Sequence, residues 1–176
     1  NEKEAREECS GNNDSFYHVI KPEIDFPDEF DHYAPEVYLK GKANFDRMVK
    51  DGLFSTDSKE CYYIYRQVMN GRSQDGIVGA AHIDDYFNNV IKKHELTRPD
   101  KEEDRKNHIR YSHLNYEPVF FAYPKSGELD AIVAGITSGN PVYDFTAEDG
   151  IQHVLWVVDQ EDVINKITTS FSKLPS

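Results

Sequence analysis

Cysteine is scarce in this sequence, and the patterns that mark secreted or membrane proteins are missing. Cys9 and Cys61 are the two cysteines in 176 residues, too few for a disulfide framework. No apolar run approaches the roughly 20 residues that a membrane-spanning helix needs, and no signal-peptide pattern opens the chain. A cytoplasmic location without a membrane partner is therefore expected, with Cys61 as a buried free thiol.

Motifs that define several enzyme classes are also missing. The sequence contains no Walker-type loop and no GxGxxG, GxSxG or HExxH motif. Its seven histidines are scattered, whereas zinc needs clustered histidine and cysteine ligands. We therefore predict no metal site held by the protein.

Positive charge is scarce over most of the chain, whose net charge is −12. Nucleic acids and anionic membranes require a basic surface, so direct nucleic-acid binding is not expected. One segment differs, because Lys92–Arg110 carries seven Lys/Arg against five Asp/Glu. This local charge of +2 leaves −14 for the rest of the chain, and such a basic island suits a small anionic ligand.

The same segment has almost no apolar residues, since Leu96 and Ile109 are the only two. Its sequence predicts a helix from about Asp100 to Ser112, with Pro99 in the first turn and Thr97 or Asp100 as the cap. A helix this polar cannot be held by burying an apolar face. It is either a functional site or a solvated surface helix with ion pairs such as Glu102–Lys106.

The residues just before this helix are the candidate site. Backbone N–H groups at a helix N-terminus attract anions, and Glu95 beside His94 has the chemistry of a general base. Basic side chains nearby would hold phosphate oxygens; these are Lys92, Lys93, Arg98 and Arg105.

Strands and helices are mixed without strict alternation, which predicts one α+β domain over residues 1–176 with a mixed sheet, hairpins and packed helices. The strands are expected at Ser15–Ile20, Cys61–Met69, Gln74–Ile83, Pro118–Tyr123, Val142–Thr146 and Ile151–Val158. Asn70-Gly71 and Asp149-Gly150 would form the hairpin turns. Besides the polar helix, helices are expected at Asn1–Ser10, Pro35–Asp51, Glu128–Ile136 and after Asp159, which would cap the last one.

The chain also resembles a bacterial and archaeal family of unknown function whose members are sometimes labelled SpoOJ (ParB-type) regulators. The resemblance lies in SFYHVIKPEIDFP (15–27), VIKKHELTRPDKEEDR (90–105), PVFFAYP (118–124), YDFTAEDGIQHVLWVV (143–158) and the closing KLPS. These segments span nearly the whole chain, and KKHELTRPDKE is the most specific of them.

That family is in turn similar to the ParB/sulfiredoxin-like fold. Three parts of this fold match in order, at Ile77–Ile83, Lys92–Arg110 and Pro118–Tyr123. The resemblance implies a ParB/sulfiredoxin-like core into which Gly127–Ser176 is inserted as a helix-hairpin-helix segment. The phosphate loop of the fold, with an Asp-Gly-His-His-Arg motif, would follow Ser176, so the chain is expected to continue beyond its last residue.

Free-serine kinases of this fold place their catalytic glutamate in a Lys-Pro-His-Glu context. Lys92-Lys93-His94-Glu95 resembles it, with Lys93 where proline would stand, and the Pro-Pro-Tyr-Asp motif of these kinases is absent. The resemblance implies a phosphotransferase that uses ATP or ADP with Mg²⁺ and free serine or a similar acceptor. The alternatives are a ParB/SpoOJ-related regulatory or nucleotide-binding module without catalysis, and a structural domain with a solvated polar helix.

Overall fold

Two compact units make up the chain, whose computed structural model describes residues 2–93 and 97–175. The first unit comprises residues 1–56 and 95–120, and the second comprises residues 57–94 and 121–176. The division falls in the polar segment, so Lys92 and Lys93 belong to one unit and Arg98 to the other. A single domain over residues 1–176 stays a prediction.

The described part of the first unit is helical. Its elements are α1 (Glu2–Glu8), α2 (Tyr17–Ile20), a 3₁₀ turn (Pro22–Asp25), α3 (Pro35–Lys50) and α5 (Pro99–Ser112). The predicted helices at Asn1–Ser10, Pro35–Asp51 and Asp100–Ser112 are confirmed to within a few residues. Gly52, with φ +82°, follows the end of α3, where glycine readily adopts the left-handed conformation.

The strand predicted at Ser15–Ile20 is wrong, because Tyr17–Ile20 forms the helical turn α2. A short aromatic and β-branched run does not by itself distinguish a strand from a buried helix. This turn packs against α3, where Val19 is 1% exposed. A Cβ at Gly41 of α3 would lie 2.9 Å from the Val19 carbonyl oxygen, so glycine allows this close contact.

The second unit contains a four-stranded antiparallel sheet in the order β2-β1-β4-β3. Its strands are β1 (Tyr62–Met69), β2 (Arg72–Val78), β3 (Tyr143–Thr146) and β4 (Gln152–Val158). Asn70 and Gly71 both have positive φ, 53° and 75°, as the predicted type I′ turn requires. The α+β class is confirmed, whereas these strands form an antiparallel sheet and not a mixed one.

Helices α4 (Ile83–Phe87), α6 (Gly127–Thr137) and α7 (Glu161–Ser172) complete the second unit. The order α6, hairpin, α7 follows the prediction, but β4 pairs with β1 along seven residues of each strand. This segment thus provides half of the sheet, and its expected position as an insertion into a separate core is not confirmed. Gln160, not Asp159, is the N-cap of α7, and Asp159 pairs with Lys59 at 3.2 Å.

The core of the second unit lies between the sheet and two helices. Alternate residues of β4 point inward, and they pack with Ile64 of β1 and Ile167 of α7. Partly buried apolar side chains of α6 and α7 cover them: Ile132, Val133, Ile136, Val163, Ile164 and Phe171. Cys61, expected to be buried, is partly exposed, and Cys9 is the buried thiol.

The strand predicted at Pro118–Tyr123 is wrong. This run has no strand partner among the described residues, and its apolar side chains are exposed, with Phe120 at 80%. A continuous apolar run predicts a buried strand only where neighbouring strands and two covering layers exist, and the described sheet ends at β2 and β3.

Candidate functional site

Two of the six predicted site residues, His94 and Glu95, lie outside the described residues. Their catalytic roles stay predictions from the sequence. The other four are described, two in each unit.

Lys92 and Lys93 are exposed side chains in the second unit. The Lys92 ammonium donates to the Asn89 carbonyl oxygen at 2.8 Å, and Lys93 Nζ lies 4.7 Å from the ring centroid of Tyr86. Within residues 2–93 and 97–175, neither ammonium forms a salt bridge with a carboxylate.

Arg98 and Arg105, in the first unit, are engaged in exposed salt bridges. Arg98 Nη2 lies 2.7 Å from Asp100 Oδ2, and Arg105 Nε lies 2.7 Å from Glu117 Oε2. The Arg98 guanidinium lowers the pKa of the Asp100 carboxyl. Exposed pairs of this kind contribute about 0–1 kcal/mol, so exchanging the carboxylate for a phosphate would cost little.

The start of the polar helix α5 differs from the prediction. Arg98 is its N-cap and makes no side-chain capping bond, so the predicted caps at Thr97 and Asp100 are wrong. The Thr97 hydroxyl instead donates to Glu102 Oε2 at 3.0 Å. The predicted Glu102–Lys106 pair is confirmed at 2.5 Å. Hydrogen bonds from Lys106 and Thr97 lower the pKa of the Glu102 carboxyl.

One face of α5 is buried by polar and aromatic contacts that the sequence pattern did not predict. The Tyr38 hydroxyl of α3 donates to Asp104 Oδ1 at 2.9 Å, and the rings of Tyr38 and His108 meet edge to face at 4.8 Å. The Tyr116 hydroxyl hydrogen-bonds His108 Nδ1. The available clue was the spacing of Asp104, His108 and Ser112, which repeats every four residues as in a packed helix face.

Burial sets the protonation of this cluster. It lowers the pKa of His108, and Arg105 adds to that effect while Asp104 and Glu117 oppose it. It also raises the pKa of Tyr38 and of Tyr116. Near neutral pH the histidine and both tyrosines are therefore uncharged, and the cluster joins the helices by packing and hydrogen bonds.

Replacing Tyr38 with phenylalanine should destabilise the protein by about 1–3 kcal/mol, because the partly buried Asp104 carboxylate would lose its hydrogen-bond donor. Urea unfolding followed by circular dichroism measures this loss. Tyr111→Phe is the matched control, since Tyr111 stacks on Tyr38 at 5.6 Å without a described hydroxyl hydrogen bond. Equal stability of the two variants would contradict a structural role for the Tyr38–Asp104 bond.

The protein should also become less stable as the pH is lowered, because of His108. Below its ordinary pKa of 6.5, the unfolded chain takes up a proton that the folded chain, with its lowered pKa, does not. The free energy of unfolding should then decrease by up to about 1.4 kcal/mol per pH unit, whereas above pH 6.5 His108 adds no slope. His108→Gln should remove this component and His113→Asn, an exposed histidine at the end of α5, should retain it; urea titrations between pH 5 and 7.5 compare them.

A cleft of about 280 Å³ lies within the second unit, beside β1, β2 and α6. The side chains that give it chemistry are Arg66, Asp75, Tyr123, Asp130 and Thr137. Arg66 donates to both oxygens of Asp75, at 2.5 and 2.9 Å, and its guanidinium lies 5.2 Å from the Trp156 ring centroid. Burial, and to a lesser extent the Asp130 carboxylate, raises the pKa of Tyr123.

In residues 2–93 and 97–175, no group of three or more His, Cys, Asp and Glu residues is arranged to hold a metal ion. In the same part of the chain, no helix is both long and apolar enough to cross a membrane.

Comparison with known proteins adds one finding. No curated protein and no solved structure matches the chain significantly. Among protein families, the one described as "Protein of unknown function (DUF1015)" matches residues 1–176. Because this match covers the whole chain, the chain belongs to that family.

Proposed function

We propose that this chain is part of a nucleotide-dependent phosphotransferase that acts on a small hydroxylated amino acid, with free serine as the first acceptor to test. The observation that supports it is the pair of exposed ammonium groups of Lys92 and Lys93, which lack a carboxylate partner among the described residues. They directly precede His94 and Glu95 in the sequence, and the chain as a whole carries −12. The resemblance to free-serine kinases of the ParB/sulfiredoxin-like fold supports the same assignment.

Each residue has a distinct role in this proposal. Glu95 takes the proton of the acceptor hydroxyl, and His94 orients the acceptor or contacts phosphate. Lys92 and Lys93 neutralise phosphate oxygens. Arg98 and Arg105 would exchange their exposed carboxylate partners for phosphate.

The nucleotide would be ATP or ADP with Mg²⁺. Mg²⁺ prefers oxygen ligands, keeps several waters and is often bound through substrate phosphates and few protein carboxylates. The protein would then supply charge and orientation around the phosphates.

The test is formation of phosphoserine by the full-length protein, given free serine, Mg²⁺ and either ATP or ADP. Product detected by ³¹P NMR, and dependent on both substrates, is the expected result. Nucleotide binding in a calorimeter without any phosphorylated product would overturn catalysis and favour a regulatory nucleotide-binding module. If Lys93→Ala binds nucleotide and turns over like the wild type, the polar segment Lys92–Arg110 is a solvated surface and not a site.

A DNA-binding role related to ParB requires a separate assay. With a net charge of −12, the protein should show no salt-sensitive retention of duplex DNA, because such binding depends on neutralising phosphates with basic residues. A gel-shift assay at low salt measures it.

A further inference from the structure

The cleft of the second unit carries one guanidinium and two carboxylates close to apolar side chains. Ile77, Val133 and Ala134 contribute the apolar part of its lining. Its volume of about 280 Å³ is just below the roughly 300–1,000 Å³ of pockets that enclose drug-sized molecules. The size therefore suits a metabolite with few non-hydrogen atoms.

Arg66 is held in place within this cleft. Its Nε and Nη2 donate to Asp75, its guanidinium lies over Trp156, and its side chain is 29% exposed. The second amino group of the guanidinium, Nη1, has no described hydrogen bond. A planar guanidinium with free N–H donors is well suited to a carboxylate.

Asp130 brings a carboxylate to the cleft, whereas Arg66 brings a guanidinium. Its carboxylate forms no hydrogen bond or salt bridge with the residues that the structure describes, although it lines the same cleft. Its side chain is exposed. An ammonium group is the natural partner of such a carboxylate.

We propose that this cleft binds a small zwitterionic α-amino acid, with its carboxylate on Arg66 and its ammonium on Asp130. Tyr123 and Thr137 line the cleft, and we assign their hydroxyl groups to a polar side chain of the ligand. Its size admits an amino acid with a short side chain. In naming serine as the amino acid, the inference rests on the proposed function.

Calorimetry of the full-length protein with three ligands tests the inference without any nucleotide. L-Serine carries both charged groups, ethanolamine lacks the carboxylate and 3-hydroxypropionate lacks the ammonium. L-Serine should bind, and each analogue should bind at least about 10-fold more weakly, as expected when a charge-assisted hydrogen bond is lost. No heat with L-serine, or equal affinity for all three, would overturn the inference.

Asp130→Asn should weaken serine binding by about 10- to 100-fold. Glu128→Gln is the matched control, because Glu128 lies in the first turn of the same helix but pairs with Lys173 at 3.0 Å and does not line the cleft. Thermal unfolding of both variants shows that they are folded. Serine binding equal to wild type in Asp130→Asn would overturn the assignment of the ammonium site.

Failure of this inference and failure of the proposed function give different results. If serine binds at Asp130 but no phosphoserine forms, the phosphotransferase is wrong and the amino-acid site stands. If Asp130→Asn binds serine as tightly as the wild type while phosphoserine still forms, the site is wrong and the phosphotransferase stands.

Discussion

Glu95→Gln is expected to lower the rate of phosphoserine formation by about 10²- to 10⁴-fold, the contribution of a positioned general base. Glutamine has nearly the same size as glutamate but cannot accept the proton that leaves the serine hydroxyl. The loss should appear in kcat, while the affinity for nucleotide, measured by calorimetry, should change little because Lys92 and Lys93 are unaltered. Single-turnover assays with ATP and with ADP measure the chemical step directly.

Glu148→Gln is the control for this experiment. It removes the same charge from an exposed loop position of the second unit, where no described residue bonds to the side chain. It should retain full activity. Equal rates for wild type and Glu95→Gln would remove Glu95 from the mechanism, whatever the nucleotide affinity.

Ile64→Ala should destabilise the second unit by about 2–5 kcal/mol, the range for truncating a fully buried aliphatic side chain. Ile64 is 0% exposed and lies in the central strand β1 opposite Trp156 of β4. Its removal deletes apolar contacts and leaves a cavity between the sheet and the helices. Chemical denaturation followed by Trp156 fluorescence gives the free energy of unfolding.

The matched control is Ile83→Ala, in the same unit, where the side chain is 62% exposed. A change of about 0.5 kcal/mol or less is expected there. If both substitutions cost the same, Ile64 would not lie in the core that the sheet and helices form.

Local signals explain what the sequence predicted correctly. The Asn70-Gly71 turn needs two positive φ angles, which these residue types adopt readily, so the hairpin follows from two residues. The apolar spacing of α6 and α7 and the proline at the start of α3 likewise act over a few residues. Those elements were predicted with small errors at their ends.

Distant contacts explain what was missed. The pairing of β1 with β4 joins residues about 90 positions apart in the chain, and no local pattern reveals it. The buried face of α5 was overlooked because Asp104 and His108 are polar, and their burial depends on Tyr38 and Tyr116 from other segments. The run at Pro118–Tyr123 shows the reverse error, since apolar composition alone does not establish burial.

The candidate site divides in the same way. The sequence shows the charges of Lys92, Lys93, Arg98 and Arg105 directly, but it does not show that Arg98 and Arg105 pair with carboxylates. The cleft at Arg66 and Asp130 is lined by residues of β1 and α6, and the spacing of these residues in the sequence does not predict it. Its residues carry no motif, and only the folded second unit brings them together.

Trp156 is the one tryptophan of the chain, and its position gives the protein an internal spectroscopic reporter. The indole is 5% exposed in the core of the second unit, and its N–H donates to the Gly139 carbonyl oxygen at 3.0 Å. Its emission therefore follows the second unit, whereas the far-ultraviolet ellipticity also contains the helices of the first. Coincident transitions of the two signals would identify one cooperative folding unit, and separate transitions would identify two.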